Sequence, residues 1–176
     1  MTLQNKKTAI LGILATLVIG VTNNSFAKTP SFLGVSLGYY NVLEGHSEAV
    51  DLRIKYKHDR SVVFKNLRPW AELNLTSQGN TWLGTGLEYT INVSDNVFIS
   101  PSFGAGLYKH AKGDLDLGYP LQFKSQLELG YIFKNRSRLS LAFSHLSNAG
   151  LNERNPGVEI LSLYYYIPLD MFYSNI

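Results

Sequence analysis

An all-β chain closing into an eight-stranded antiparallel barrel is what this sequence predicts, and three observations carry the prediction. Successive stretches alternate apolar and polar side chains with a period of two, the pattern of strands with two unlike faces. Eight such stretches follow Ala27, an even number that suits the smallest closed membrane barrels. Beyond Ala27 no apolar run approaches the ~20 residues of a membrane-spanning helix, and helical periodicity is absent.

Taken in order, residues 1–27 read as a cleaved signal peptide. Lys6 and Lys7 precede a largely apolar run from Thr8 to Val21, and Ser25-Phe26-Ala27 places small residues for cleavage before Lys28. Residues 28–176 then form one β-barrel domain. Ser31–Val42 alternates Leu33, Val35, Leu37 and Tyr39 against Ser36 and the glycines. Ala49–Lys57 sets Val50, Leu52, Ile54 and Tyr56 against Asp51, Arg53, Lys55 and Lys57. Arg68–Thr76 sets Ala71, Leu73 and Leu75 against Trp70, Glu72 and Asn74. Trp82–Ile91 sets Leu83, Leu87, Tyr89 and Ile91 against Gly84, Gly86 and Glu88. Val97–Tyr108 is more mixed, and Leu121–Phe133 returns to clean alternation, with Gln122, Lys124, Gln126 and Glu128 opposite the apolar set. Two strands around residues 138–147 and 159–167 complete the eight.

Alternation does not say which face is out. Charges of both signs could pair across the narrow, filled interior of a small membrane barrel, whereas a soluble lipocalin-like barrel inverts the arrangement. A hydrophobic content of 45% with mean hydropathy near zero fits either. With no cysteine there is neither a disulfide framework nor a thiolate metal site. The net charge of +3 is small, and its densest basic group, Arg53, Lys55 and Lys57, shares a strand with Asp51. Bulk nucleic-acid binding is excluded on that distribution.

The chemistry concentrates in residues 143–159, Phe-Ser-His-Leu-Ser-Asn-Ala-Gly-Leu-Asn-Glu-Arg-Asn-Pro-Gly-Val-Glu. Ser147, His145 and Glu159 are the side-chain types of a nucleophile–base–orienter site. Asn148, Asn155, Gly150 and Gly157 can supply oxyanion donors and tight turns. His145 and Ser147 continue the parity of Leu139, Leu141 and Phe143, and Glu159 shares that of Leu161, Leu163 and Tyr165. Side chains at i and i+2 of a strand share a face, about 6–7 Å apart. Paired through the 148–156 loop, all three groups meet on the apolar face. A hydrolase with its site there should take a lipid substrate.

His-Leu-Ser-Asn-Ala-Gly, then Asn-Pro-Gly, then Glu159, resembles the signature of the outer-membrane lipid A 3-O-deacylases (the PagL type). The resemblance implies His145 as base, Ser147 as nucleophile and Glu159 as orienter. It also implies Asn155 with the Asn148–Gly150 turn as oxyanion hole. It implies an outer-membrane enzyme with no cofactor or metal, acting on lipopolysaccharide to release the 3-O-linked 3-hydroxyacyl chain. On that reading outer-membrane lipid surrounds the barrel, and monomer and homodimer both remain open. The other readings are a structural or adhesive barrel with an idle motif, and a phospholipid esterase.

With the N-terminus on the periplasmic side, the 148–157 loop faces outward. Short turns at 93–96 and 134–137 then fit the periplasmic end, whereas the connection around 58–67 is long for it. Trp70, Trp82 and part of the Tyr164–Tyr166 run are expected in interfacial aromatic girdles. His46, His58 and His110 read as surface histidines, and Arg154 as a solvated loop charge within reach of a lipid A phosphate. The ending Phe172-Tyr173-Ser174-Asn175-Ile176 departs from the terminal aromatic common in such barrels.

Overall fold

The structure, a computed structural model, describes residues 30–44, 47–111 and 115–172. The expected signal peptide, His46 and residues 173–176 lie outside these. Among the described residues the chain forms β1 (Phe32–Tyr40), β2 (Ala49–Lys57), β3 (Leu67–Thr76), β4 (Thr81–Tyr89), β5 (Ile91–Asn92), β6 (Val97–Lys109), β7 (Leu121–Ile132), β8 (Arg138–Ser147) and β9 (Val158–Pro168). A short 3₁₀ turn follows at Leu169–Phe172.

Neighbouring strands pair antiparallel around a full circle. First meets last along β1–β9, from Phe32 opposite Pro168 to Tyr40 opposite Ile160. The circle also closes across β4–β6. Full closure gives the backbone N–H and C=O groups of the strands their partners, the one way a sheet can sit in hydrocarbon. β4 and β5 are one stave of eight, because both pair with β6 in a common register. The expected single strand over Trp82–Ile91 breaks at Thr90. There the backbone N–H turns to the Asn66 carbonyl, 3.1 Å away.

Burial decides which face is out. Val35, Leu37, Leu52, Ile54, Leu127, Leu129, Leu141 and Leu163 are all half exposed or more on the outer wall. Asp51, Glu72, Glu88 and Glu128 are buried inside with Arg53, Lys55, Lys57, Arg68, Lys124 and Arg138. A soluble barrel could not carry that apolar belt in water, nor fill its core with charge. This is a membrane barrel.

The lumen is neutralised locally. Glu128 takes both Lys55 and Lys57 at 3.0 Å and also accepts from Gln126, Ser140 and Tyr166. Lys124 pairs with Glu72, and Arg53 with Asp51. Above this charged layer, Tyr40, Trp70, Trp82, Tyr108, Leu117 and Leu146 form an apolar plug at one end. The expected place of Trp70 and Trp82 in an outer girdle is therefore wrong: they are 2% and 1% exposed, inside the plug. Gly84, Gly86 and Gly104 make the room. A Cβ on any of them would come within 2.6 Å of an indole ring. Tyr164 and Tyr166 are likewise internal, stacked 5.3 Å apart, and only Tyr165 of that run faces out.

The two ends differ. One carries connections 58–66, 93–96 and 133–137, the other the connections after β1, β3, β6 and β8. The long 58–66 connection is folded on itself by backbone bonds Val62 to Leu67 (2.8 Å) and Leu67 to Phe64 (3.2 Å). His58 bonds Pro69 (3.0 Å), so pairing runs past the strand end.

Candidate active site

β8 and β9 are in register over Arg138–Leu146, and His145 falls directly opposite Glu159. Both side chains lie on the outer wall, above Phe143 and Leu161. The imidazole Nδ1 is 2.9 Å from Glu159 Oε1. A carboxylate oxygen accepts here, so Nδ1–H donates, and a neutral imidazole held this way keeps its lone pair on Nε2. That is the tautomer a general base toward a hydroxyl requires.

The ring is also held from behind. Gly157, at φ +72°, leaves no side chain where a Cβ would stand 2.8 Å from His145 Cε1. Glu159 thus holds one ring edge, and the bare Gly157 backbone lies against the next. Ser147 ends β8 two residues beyond His145 on the same wall, opposite Phe123 of β7. Its hydroxyl makes no hydrogen bond among the described residues, so serine and imidazole share a face without a hydrogen bond between them. Nucleophile–base distances of this kind are often loose before substrate binds.

The loop after Ser147 turns at once. Ala149 (φ 53°) and Gly150 (φ 75°) are both left-handed, and Leu151 N–H donates to the Asn148 carbonyl at 3.1 Å. Positive φ at both central residues is the pattern of a type I′ turn. Asn148, 0% exposed, is its anchor. Its Nδ2 donates to Leu117 (2.9 Å) and Arg154 (2.8 Å) carbonyls, and its Oδ1 accepts from Gly150 N–H (2.9 Å). Asn148 N–H donates to Asn155 Oδ1 at 2.9 Å. A backbone N–H needs an oxygen acceptor, so this bond fixes which way the Asn155 amide faces. The two Nδ2 hydrogens are left unengaged among the described residues.

The β6–β7 connection buttresses the loop, a long-range contact that no local pattern announces. Leu117 is buried beneath it, Gly118 lies against the Arg154 carbonyl, and Asp116 stands 3.4 Å from the Arg154 guanidinium. Both members of that pair are exposed, so it adds little to stability. His58 and His110 sit in connections, with partners Asp59 and the Ala111 carbonyl. Among the described residues no group of three His, Asp or Glu side chains could hold a metal ion.

A family model described as "Lipid A 3-O-deacylase (PagL)" matches residues 48–168. Among solved structures, the outer-membrane enzyme PagL is similar at 22% identity. The alignment covers 78% of this chain and 99% of that one, with a TM-score of 0.61. Neisserial surface protein A matches at 12% identity, covering 82% of this chain and 100% of its own, with a TM-score of 0.59. A de novo designed transmembrane β-barrel matches at 12%, covering 81% and 98%, with a TM-score of 0.51. Curated protein sequences give no match. Barrels differing widely in origin thus share the fold about equally, so the fold by itself carries no activity.

Proposed function

This chain belongs to the lipid A 3-O-deacylase (PagL) family, and from that premise we propose that it is a serine esterase of the outer membrane. It removes the 3-O-linked 3-hydroxyacyl chain of lipid A through Ser147, His145 and Glu159. The observation that carries the reading is the 2.9 Å His145–Glu159 contact on the lipid-facing wall. A carboxylate on that wall is costly unless partnered. This one is partnered by the imidazole that would act as the base.

His145 Nε2 takes the Ser147 proton as Ser147 Oγ attacks the ester carbonyl. Glu159 stabilises the imidazolium that forms. The Asn155 Nδ2 group, oriented by Asn148 N–H, donates to the developing oxyanion. Asn148 and Gly150 N–H groups are engaged within the loop in this conformation. Their share is to hold Asn155 and the turn. As the ester C–O bond breaks, the imidazolium gives its proton to the departing sugar oxygen; water, deprotonated by His145, then attacks the acyl-enzyme and releases the fatty acid and the free Ser147 hydroxyl.

The outer leaflet is the place for this chemistry. With the chain termini on the periplasmic side, the 148–157 loop lies at the outer end, level with the lipopolysaccharide acyl chains. To test the substrate, refolded protein is incubated in detergent with lipopolysaccharide and, separately, with phosphatidylethanolamine, and products are weighed by mass spectrometry. Loss of one 3-hydroxyacyl chain from lipid A is the expected result. Release of fatty acid from the phospholipid alone would assign a phospholipid esterase. No cleavage of either by folded protein would leave a structural or adhesive barrel.

A further inference from the structure

The lumen holds a second cluster that the active site does not use. Arg68, second residue of β3, and Arg138, first of β8, both point inward at the end bearing the 58–66 and 133–137 connections. That is the end opposite the candidate active site. They are 9% and 8% exposed, and neither guanidinium makes a hydrogen bond or ion pair among the described residues. The Nε of each is fully buried without an acceptor.

Three carboxylates lie near, and each has another partner. Asp59, which together with Glu88 acts electrostatically on Arg68, stands 2.9 Å from His58 Nδ1. Glu88, opposite Arg68 across β3–β4, is held by Lys55 at 3.3 Å and Lys57 at 2.8 Å. Glu128 is shared by the same two lysines. The largest electrostatic influence on Arg138 from another side chain is that of Arg68, a like charge. The Phe32 and Phe98 rings, 4.2 and 5.2 Å from the Arg138 guanidinium carbon, fix its position and supply no acceptor. In the same row of strand pairs as Arg68 and Glu88, the Ser102 hydroxyl is also buried and unpartnered. Overall the lumen buries two more cations than carboxylates among the described residues.

Two guanidiniums at one mouth, unpaired and largely withdrawn from water, are unfavourable unless an anion lies between them. Planar forks of N–H donors match a tetrahedral oxyanion in geometry as well as charge. We propose that Arg68 and Arg138, with the Ser102 hydroxyl, form a binding site for a phosphate-class oxyanion in the end of the lumen opposite the candidate active site. Free inorganic phosphate and a phospholipid headgroup share this chemistry. The site does not depend on catalysis at Ser147.

The test uses the full refolded chain in zwitterionic detergent, with folding checked by heat-dependent gel mobility. Inorganic phosphate is titrated calorimetrically at constant ionic strength, with chloride as the balancing anion, and dihexanoylphosphatidylglycerol is titrated in parallel. Saturable one-site binding of at least one probe is expected, weakened tenfold or more in Arg68→Gln and in Arg138→Gln. Phosphate binding assigns a solute anion, and binding of the phospholipid alone assigns a headgroup. If a glutamine variant fails to fold, Arg68→Lys/Arg138→Lys keeps both charges and removes the forks, and binding there should fall at least threefold. Absence of saturable binding of either probe, or undiminished affinity in the folded variants, overturns the site. Since hydrolysis is not the readout, its failure and that of the deacylase reading are separable.

Discussion

Gly157 offers a sharp test of how the proposed base, His145, is held. Replacing it with alanine adds a Cβ 2.8 Å from His145 Cε1, where ordinary contact begins near 3.4 Å. Ring or loop must therefore retreat by about half an ångström, and a misplacement of ~1 Å in a reacting geometry costs on the order of a hundredfold in rate. A loss of about tenfold in kcat follows. The substitution also places alanine at φ +72°, a left-handed strain of ~1–2 kcal/mol. Gly150→Ala supplies the comparison. Gly150 sits at φ +75°, with nothing within 4 Å of its would-be Cβ, so it carries the same strain without the contact. Initial rates of fatty-acid release from lipopolysaccharide, measured for both variants at matched folded fraction, separate the two effects. The Gly157 variant should lose several-fold more activity than the Gly150 variant. Equal losses would mean that loop strain alone matters, and full activity in Gly157→Ala would remove His145 from its assigned place.

Three further outcomes follow from the same geometry. Asn155→Ala removes the free amide donor, and kcat should fall ~100–1000-fold with folding intact; a change under threefold in single-turnover assays would remove Asn155 from the oxyanion site. Glu128→Ala leaves Lys55 and Lys57 with one buried carboxylate between them, and should cost ~3–5 kcal/mol in urea-unfolding measurements in lipid vesicles. Leu141, 52% exposed on the outer wall, faces hydrocarbon in this account, so Leu141→Lys should lower folding free energy into vesicles by ~2–4 kcal/mol; a neutral result would contradict the membrane-facing assignment.

Much of this was written in the period-two pattern. A one-residue slip would reverse every side chain of a strand, so the parity of Leu139, Leu141 and Phe143 places His145 and Ser147 on the outer wall with little freedom. That Asp51, Arg53, Lys55, Glu72, Glu88, Lys124 and Glu128 share the opposite face was legible for the same reason. Which face met lipid was not, because alternation is symmetric between a membrane barrel and its soluble inverse. The family-like motif broke that tie in the sequence, and burial breaks it in the structure. The tryptophans misled because aromatic girdles are a habit of composition. The glycines beside the Trp70 and Trp82 rings, which open the lumen for them, shared their parity and were the overlooked signal.

What the sequence withheld is mostly long-range. Asn148 looked like an oxyanion candidate within a local motif. Its amide joins Leu117, some thirty residues earlier, to Arg154 across the loop, and no local pattern encodes that contact. Leu117 and Gly118 carry no motif of their own. The break at Thr90 likewise reflects a partner on another connection, the Asn66 carbonyl. Local period specifies the wall of this barrel, and its loops are set by tertiary contact.

Whether Ser147 is a nucleophile activated by His145 is read by treating the refolded protein with a long-chain alkyl fluorophosphonate and locating the adduct by peptide mass spectrometry. One adduct is expected, on Ser147, absent in Ser147→Ala and formed at least a hundredfold more slowly in His145→Ala. An adduct on another residue, or cleavage of lipid A by the Ser147→Ala protein at the wild-type rate, would contradict that role.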